Sequence, residues 1–157
     1  MRNDSKIAPS HLNRNAYIYI RQSTEHQVRE NIESQQRQYE LIDIAKQYNW
    51  NQDSIIVIDD DLGRSGSSTT GRTGFAKLVA DVALKKAGII FGLEVSRLAR
   101  NNKDWYQLLD LCSLTATLIA DSDGVYDPSS FNDRLLLGLK GTMSEAELHM
   151  LKSRMLQ

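Results

Sequence analysis

Arginine and serine side chains occur together at two places in the chain, and both places could hold a phosphoryl group. Arg21 and Ser23 follow a short apolar run, and Arg97 and Arg100 lie three positions apart in a later polar segment. The planar guanidinium fork suits phosphate oxygens. A spacing of three puts both later arginines on one face if a helix begins near Ser96, where the helix dipole favours an anion. The pattern therefore indicates an anion site, although a solvated helix start with arginines paired to nearby carboxylates would give the same sequence.

Ser23 is the candidate nucleophile of this site. A serine just after a strand is often only a turn or helix-capping residue. A His–Asp pair that would activate it is not indicated, because His26 is the only histidine near it in the sequence. An arginine-rich site could instead polarise the hydroxyl and stabilise a pentacoordinate phosphoryl transition state without a metal ion. The two readings of Ser23, nucleophile and turn residue, stay open on this ground alone.

Other phosphate chemistries are disfavoured by the same sequence. Gly63-Arg64-Ser65-Gly66 lacks the lysine and the spacing of a nucleotide-binding loop. Asp59-Asp60-Asp61 could bind Mg²⁺ with Asp121 or Asp123, but a solvated acidic loop is the simpler interpretation. Cys112 is the single cysteine, which excludes an internal disulfide and a multi-cysteine zinc site. We therefore expect no metal and no cofactor.

Four apolar runs alternate with helical patterns and would position these residues. The strands are predicted at residues 17–20, 54–58, 89–93 and 117–120, and the helices at residues 34–48, 75–86, about 105–112 and 133–157. Gly88 is expected to end the second helix, and residues 121–132 to form a polar loop. The alternation predicts an α/β fold with a mainly parallel sheet of about four strands, helices on both faces and a long C-terminal helix. Each strand is followed by polar residues, as expected for a ligand site at the carboxyl ends of the strands.

Composition limits the partners and the compartment. The 157 residues include 19 Lys and Arg and 20 Asp and Glu, a net charge of −1. A role on DNA would therefore depend on a local basic cluster or on a separate module, because phosphate neutralisation supplies much of the affinity for DNA. No apolar run approaches the ~20 residues of a membrane span, and the polar N-terminus is not a secretory signal. We expect a cytoplasmic protein with no membrane contact.

Several segments resemble, in the same order, the motifs of the serine recombinases of the resolvase/invertase group. Tyr19-Ile20-Arg21-Gln22-Ser23 resembles the Tyr-x-Arg-x-Ser motif of that family, and Ser96-Arg97-Leu98-Ala99-Arg100 resembles its Asp/Ser-Arg-Leu-x-Arg motif. The other matching segments are Asn31-Ile32-Glu33-Ser34-Gln35-Gln36, Asp61-Leu62-Gly63-Arg64-Ser65-Gly66, Gly71-Arg72-Thr73-Gly74-Phe75 and Glu145-Ala146-Glu147. The resemblance covers residues 15–157.

The resemblance implies a reaction and a set of site residues. Ser23 would attack a DNA phosphodiester to give a 5′-phosphoserine linkage and a free 3′-hydroxyl, without ATP, metal or cofactor. The arginines would neutralise and position the phosphate. Ser96 stands where many members have aspartate, which leaves the acid and base groups open. The implied catalytic residues are Ser23, Arg21, Arg97, Arg100, Arg72, Gln35 and Asp61.

The resemblance also implies partners and a division of the chain. The partners would be double-stranded DNA and a second copy, in a homodimer that assembles into a tetramer on DNA. Residues 1–15 would form a polar leader, residues 16–132 the catalytic domain and residues 133–157 the start of an oligomerisation helix that is cut before a DNA-binding region. The leader and Ser96 favour the large class of serine recombinases. The alternatives are a metal-free phosphohydrolase and a catalytically inactive dimerisation domain of the same fold.

The apolar residues of the last predicted helix fall into two groups. The first group is expected to cover the core of its own domain, and the second lies beyond the reach of a four-stranded sheet. A second subunit is the expected partner of the distal group, and a frayed tail is the alternative. The proximal group is Leu135, Leu136, Leu139 and Met143, and the distal group is Leu148, Leu151 and Met155.

Overall fold

The computed structural model describes most of the chain. The described residues are 4–19, 27–58, 73–92, 102–121, 123–142, 150 and 153–154, and the side chains of 27–35, 73 and 142 are not described. Their elements are α1 (Pro9–Leu12), β1 (Asn15–Tyr19), α2 (Gln27–Gln47), β2 (Ile55–Ile58), α3 (Thr73–Ala83), β3 (Ala87–Phe91), α4 (Asn102–Thr115), β4 (Leu118–Ala120), β5 (Val125–Tyr126) and α5 (Phe131–Thr142). Within this part of the chain, no helix is both long and apolar enough to cross a membrane.

The strands form one sheet in the order β2-β1-β3-β4-β5. The first four strands are parallel, and β5 pairs with β4 in the opposite direction. The predicted α/β fold with a mainly parallel sheet is therefore confirmed. The antiparallel β5 lies in the stretch that was predicted to be a loop, because a strand of two residues is too short to show an alternating pattern.

Each face of the sheet is covered by its own apolar cluster. In β1, Ala16 and Ile18 belong to the cluster on one face, and Tyr17 and Tyr19 to the cluster on the other. The first face is packed by α2, which contributes Leu41 and Ala45. Because both faces are buried, the central strands carry almost no polar side chains. The second face is packed by α3, α4 and α5 through Leu78, Val82, Trp105, Leu108, Leu109 and Leu137.

The segment before β1 folds onto the sheet, although its sequence shows only a polar leader. Ile7 and Leu12 pack against the cluster on the α2 face. Arg14 donates hydrogen bonds of 2.9 and 2.6 Å to the carbonyl oxygens of Thr115 and Ala116, at the C-terminus of α4. A cation is favoured there by the helix dipole. Ile7 and Leu12 therefore add to the core on the α2 face of the sheet, and Arg14 caps the C-terminus of α4 on the opposite face.

Three helices are followed, within two positions of their last residue, by a residue with left-handed backbone. These residues are Asn49 (φ 84°) after α2, Lys85 (φ 61°) after α3 and Ala116 (φ 54°) after α4. After each, the next amide donates to the carbonyl oxygen five positions back, which is the Schellman arrangement. Gly88 was predicted to end the second helix, and this is wrong because that helix, α3, ends at Ala83 and its left-handed terminating residue is Lys85. Gly88 lies inside β3, where the carbonyl oxygen of His11 fills the space that a side chain would need.

The described part of α5 ends at Thr142, so the full length of the predicted C-terminal helix stays a prediction. Leu137 is fully buried, and Leu136 packs against the same cluster. Leu135 was predicted to cover the core, but it is 55% exposed. The prediction missed the buried face because this face continues from Leu137 to the charged Lys140, which breaks the apolar pattern.

Substitution of Gly88 tests the docking of the leader. A Cβ at this position would overlap the carbonyl oxygen of His11, so the backbone of one segment would have to move. We expect Gly88→Ala to lower the free energy of unfolding by about 1–3 kcal/mol in urea denaturation. Gly124→Ala is the matched control, because nothing lies within 4 Å of its Cβ position. Equal unfolding midpoints for the two variants would contradict the described packing of α1 on β3.

Candidate active site

The four parallel strands end side by side. Tyr19 pairs with Ile58, Ile18 with Phe91, and Phe91 with Ala120. The last residues of β1, β2, β3 and β4 therefore lie along one edge of the sheet, which we call the carboxyl edge. In open α/β sheets this edge is where ligands bind.

The helices that connect these strands begin at the same edge. Only three residues join the end of α3 to β3, and only two join the end of α4 to β4, so both helices end at the opposite edge. An 11-residue helix is about 16 Å long, which matches the length of a five-residue strand. The N-termini of α3 and of the 14-residue α4 therefore reach the carboxyl edge. Their dipoles make the potential at this edge favourable for an anion.

The predicted site residues lie in the segments that join these elements. Gln35 is in α2, with its backbone but not its side chain described. The other six, Arg21, Ser23, Asp61, Arg72, Arg97 and Arg100, lie outside the described residues. The described structure thus provides the frame around the site, and the roles of these side chains stay predictions.

Asp121 has a role that the sequence did not predict. It follows β4 and is buried, and its Oδ2 accepts a hydrogen bond of 3.0 Å from Nζ of the buried Lys140 on α5. Lys140 also donates to the hydroxyl of Tyr126 at 2.8 Å, with its ammonium group 4.8 Å from the centre of that ring. Burial alone would lower the pKa of Lys140, but the hydrogen bonds to Tyr126 and Asp121 raise it above its usual value. We call Lys140, Asp121 and Tyr126 the Lys140 cluster.

The second carboxylate oxygen of Asp121 is also occupied. Its Oδ1 accepts from the backbone amides of Asp123 and Gly124, at 2.9 and 3.2 Å, and so forms the turn between β4 and β5. Both oxygens of Asp121 therefore have partners within the protein. This disfavours the Mg²⁺ site in which Asp121 would join Asp59-Asp60-Asp61. Among the described residues, moreover, no three acidic, histidine or cysteine side chains are grouped as metal ligands would be.

Cys112 is not placed to act as a nucleophile. It lies inside α4, fully buried in the core. Burial raises the pKa of its thiol to about 12, so the reactive thiolate is absent at neutral pH. A cysteine-dependent phosphohydrolase mechanism therefore has no support in this chain.

Comparison with known proteins identifies the family to which this fold belongs. The chain matches the family model described as Resolvase, N terminal domain, over residues 16–157. It belongs to the resolvase family. The predicted membership of the serine recombinases is confirmed, and with it the fold of their catalytic domain. The match begins at residue 16 and so leaves out Ile7 and Leu12, which pack against the core.

One curated protein and two solved structures are similar to this chain over most of its length. The uncharacterized protein y4bA/y4pH of Sinorhizobium fredii (strain NBRC 101917 / NGR234) is 59% identical over 150 residues, which are 96% of this chain but only 22% of that protein. The crystal structure of a resolvase family site-specific recombinase from Streptococcus pneumoniae is similar with a TM-score of 0.57 and 24% identity, covering 91% of this chain and 93% of that one. The N-terminal catalytic domain of TP901-1 integrase gives a TM-score of 0.51 at 20% identity, covering 87% and 98%. At these identities the two structures show the shared fold alone.

Sequence reasoning missed the Lys140 cluster of the resolvase domain. One signal was available, because Lys140 interrupts the apolar residues that precede it on α5. The pattern on its own cannot distinguish a buried lysine from a solvent-facing one. The acidic partner becomes visible only when the sheet brings the end of β4 beneath the helix.

Proposed function

We propose that the resolvase domain is the catalytic domain of a site-specific DNA recombinase that uses Ser23 as its nucleophile. The observation that carries this proposal is the parallel register of β1, β2 and β3. This register brings together the starting points of the segments that contain Ser23, Asp61 and Arg97. Family membership supports the reaction class.

Chain connectivity supports the grouping of these residues. Ser23 is four residues beyond the end of β1, so its Cα is within about 14 Å of Tyr19. Arg72 directly precedes the first residue of α3, which puts its Cα about 4 Å from the Cα of Thr73. Arg100 is two residues before the start of α4, within about 7 Å. The reference residues of these three distances are Tyr19, Thr73 and Asn102, and all of them lie at the carboxyl edge.

The proposed reaction conserves the number of phosphoester bonds. The Oγ of Ser23 forms a bond to phosphorus while the bond to the 3′-oxygen of the deoxyribose breaks. The serine loses its proton, and the leaving 3′-oxygen gains one and becomes a hydroxyl group. Rejoining is the reverse attack of a 3′-hydroxyl on the phosphoserine, so no ATP is needed.

Positive charge takes the place of a metal ion in this proposal. Arg21, Arg97 and Arg100, with Arg72, would neutralise the phosphate and the charge that develops in the transition state. Gln35 on α2 and Asp61 after β2 would complete the site. Preorganised guanidinium groups at the N-termini of α3 and α4 would add to the favourable potential of the helix dipoles.

The DNA partner is part of the proposal. A net charge of −1 supplies little of the phosphate neutralisation on which tight DNA binding depends. We therefore expect a separate DNA-binding module to supply most of the affinity and sequence specificity. The resolvase domain would contribute the chemistry at the cleaved phosphate.

A second copy of the chain is the other proposed partner. The antiparallel helices α4 and α5 are linked by the ion pair between Asp110 and Arg134. Leu114 follows Asp110 by one turn of α4, and Phe131 precedes Arg134 by three residues of α5, so both are expected near this pair. Their side chains are 81% and 80% exposed. Leu135 follows Phe131 by one helical turn on the same side. Exposed apolar side chains grouped in this way are typical of a protein interface, which supports α5 as an oligomerisation element.

The nucleophile is tested by replacement of its hydroxyl group. In the full-length protein, with a supercoiled plasmid that carries the DNA flanking its own gene, Ser23→Ala should lower formation of the covalent protein–DNA adduct by about a thousandfold or more. DNA binding should stay unchanged, because the hydroxyl contributes little affinity. Ser10→Ala is the matched control, since Ser10 is an exposed serine of α1. An adduct of normal yield with Ser23→Ala would show that another residue attacks the DNA.

Removal of divalent cations tests the role of the arginines. If guanidinium groups supply the charge stabilisation, the rate of adduct formation in EDTA should stay within about twofold of the rate in Mg²⁺. A Mg²⁺-dependent nuclease in the same buffers serves as the control for complete chelation. A strict Mg²⁺ requirement for the cleavage step would favour a metal site at Asp59-Asp60-Asp61 instead.

Charge substitutions on α5 test its role in assembly. The double variant Phe131→Glu, Leu135→Glu places carboxylates in an apolar interface and should therefore weaken assembly. In analytical ultracentrifugation, the dissociation constant of its oligomer should be at least about tenfold higher than that of the unmodified chain. Leu84→Glu is the control, because Leu84 is a leucine after the end of α3 whose exposure, 64%, lies between those of Leu135 and Phe131. Identical sedimentation of the double variant and the unmodified chain over a wide concentration range would remove this surface from the interface.

A further inference from the structure

The Lys140 cluster places a full positive charge inside the domain. The side chain of Lys140 is 9% exposed and that of Asp121 is 5% exposed. Removing two charges from water is costly, and a buried ion pair adds little or nothing to stability compared with an apolar pair of the same size. The cluster is therefore poorly explained as a stabilising element, and its position in the fold points to another role.

The cluster lies on a continuous path from α5 to the end of β3. Lys140 holds the carboxylate of Asp121, and Asp121 is bonded in the chain to Ala120, the last residue of β4. The carbonyl oxygen of Ala120 accepts a hydrogen bond of 3.0 Å from the amide of Gly92. Gly92 is the first residue after β3, and Arg97 and Arg100 follow it five and eight positions later in the sequence.

The rest of the cluster fixes the position of Asp121. Its Oδ1 is held by two backbone amides of the β4–β5 turn. Tyr126 on β5 supplies a hydroxyl group as a second partner for the ammonium group. Movement of Lys140 would thus be transmitted to both strands of the hairpin, and through Ala120 to Gly92.

We propose that Lys140 is a positioning residue for DNA cleavage, which sets the direction of the chain at Gly92 through Asp121 and Ala120. The inference rests on the proposed function, because the segment that it would orient carries two of the phosphate-binding arginines. Phosphoryl transfer tolerates little displacement of such groups, and an error of about 1 Å can cost a hundredfold in rate. Lys140 would act without contact with the DNA.

Two variants separate positioning from stability. Lys140→Met leaves the carboxylate of Asp121 buried without its cation and should lower the midpoint of urea unfolding. The double variant Lys140→Met, Asp121→Asn removes both charges and keeps the Oδ1 that forms the turn, so its midpoint should return toward that of the unmodified chain. Arg134→Met is the matched control, because Arg134 also lies on α5 in an ion pair with an exposed aspartate.

The first readout is amide hydrogen exchange by NMR in this chain. In both Lys140 variants, exchange of the Gly92 amide should rise about tenfold relative to that of Ile18 in the central strand, whereas Arg134→Met should leave the ratio unchanged. The second readout is single-turnover adduct formation by the full-length protein on the plasmid that carries the DNA flanking its gene. The double variant should be slower by about tenfold to a hundredfold with unchanged DNA affinity.

A purely structural role predicts a different result. In that case the stable double variant forms the adduct at the normal rate and keeps the Gly92 exchange ratio, and the inference is overturned. A raised exchange ratio with a normal rate would also overturn it, since the orientation of Gly92 would not matter for cleavage. If the unmodified protein forms no adduct while exchange rises as expected, the recombinase function is wrong, and the contact path has no catalytic meaning.

Discussion

Burial of both faces of the parallel sheet is the constraint on which the rest of this domain depends. A strand that is covered on both sides carries mainly apolar side chains, and a polar group on it needs a partner within the protein, as the hydroxyl of Tyr17 has in Asp81. β1 and β3 follow this rule, with every side chain from Ala16 to Tyr19 and from Ala87 to Phe91 buried. Chemistry is thereby restricted to the positions where strands end. The parallel register then gathers these positions at one edge.

The same constraint explains why much of the fold could be predicted from the sequence. The apolar runs of β1 and β3 are readily identified as buried strands, because runs so rich in β-branched and aromatic residues are typical of strands covered on both sides. The order of strands and helices then implies parallel pairing. The candidate site followed from residue types and motifs at the strand ends, and it needed no packing information.

Other features depend on tertiary contacts that leave no local pattern. β5 consists of Val125 and Tyr126 and is defined only by its pairing with β4. The leader is polar on average, yet Ile7 and Leu12 pack against the core cluster on the α2 face of the sheet. Lys140 is buried because Asp121 lies beneath it, and the two are 19 positions apart in the sequence. For Lys140 the determining partner is distant in the chain, whereas β5 lies close to its partner strand but is too short to show a pattern.

The buried position of Cys112 has a practical consequence for experiments on assembly. Because the chain has no other cysteine and this thiol is enclosed in the core with a pKa of about 12, the folded domain has no reactive native thiol. A cysteine introduced at an exposed position outside the proposed interface, such as Leu84, would be the sole target for a spin label or a fluorescent dye. Distances between two copies of the domain could then be measured directly, with the native cysteine left in place.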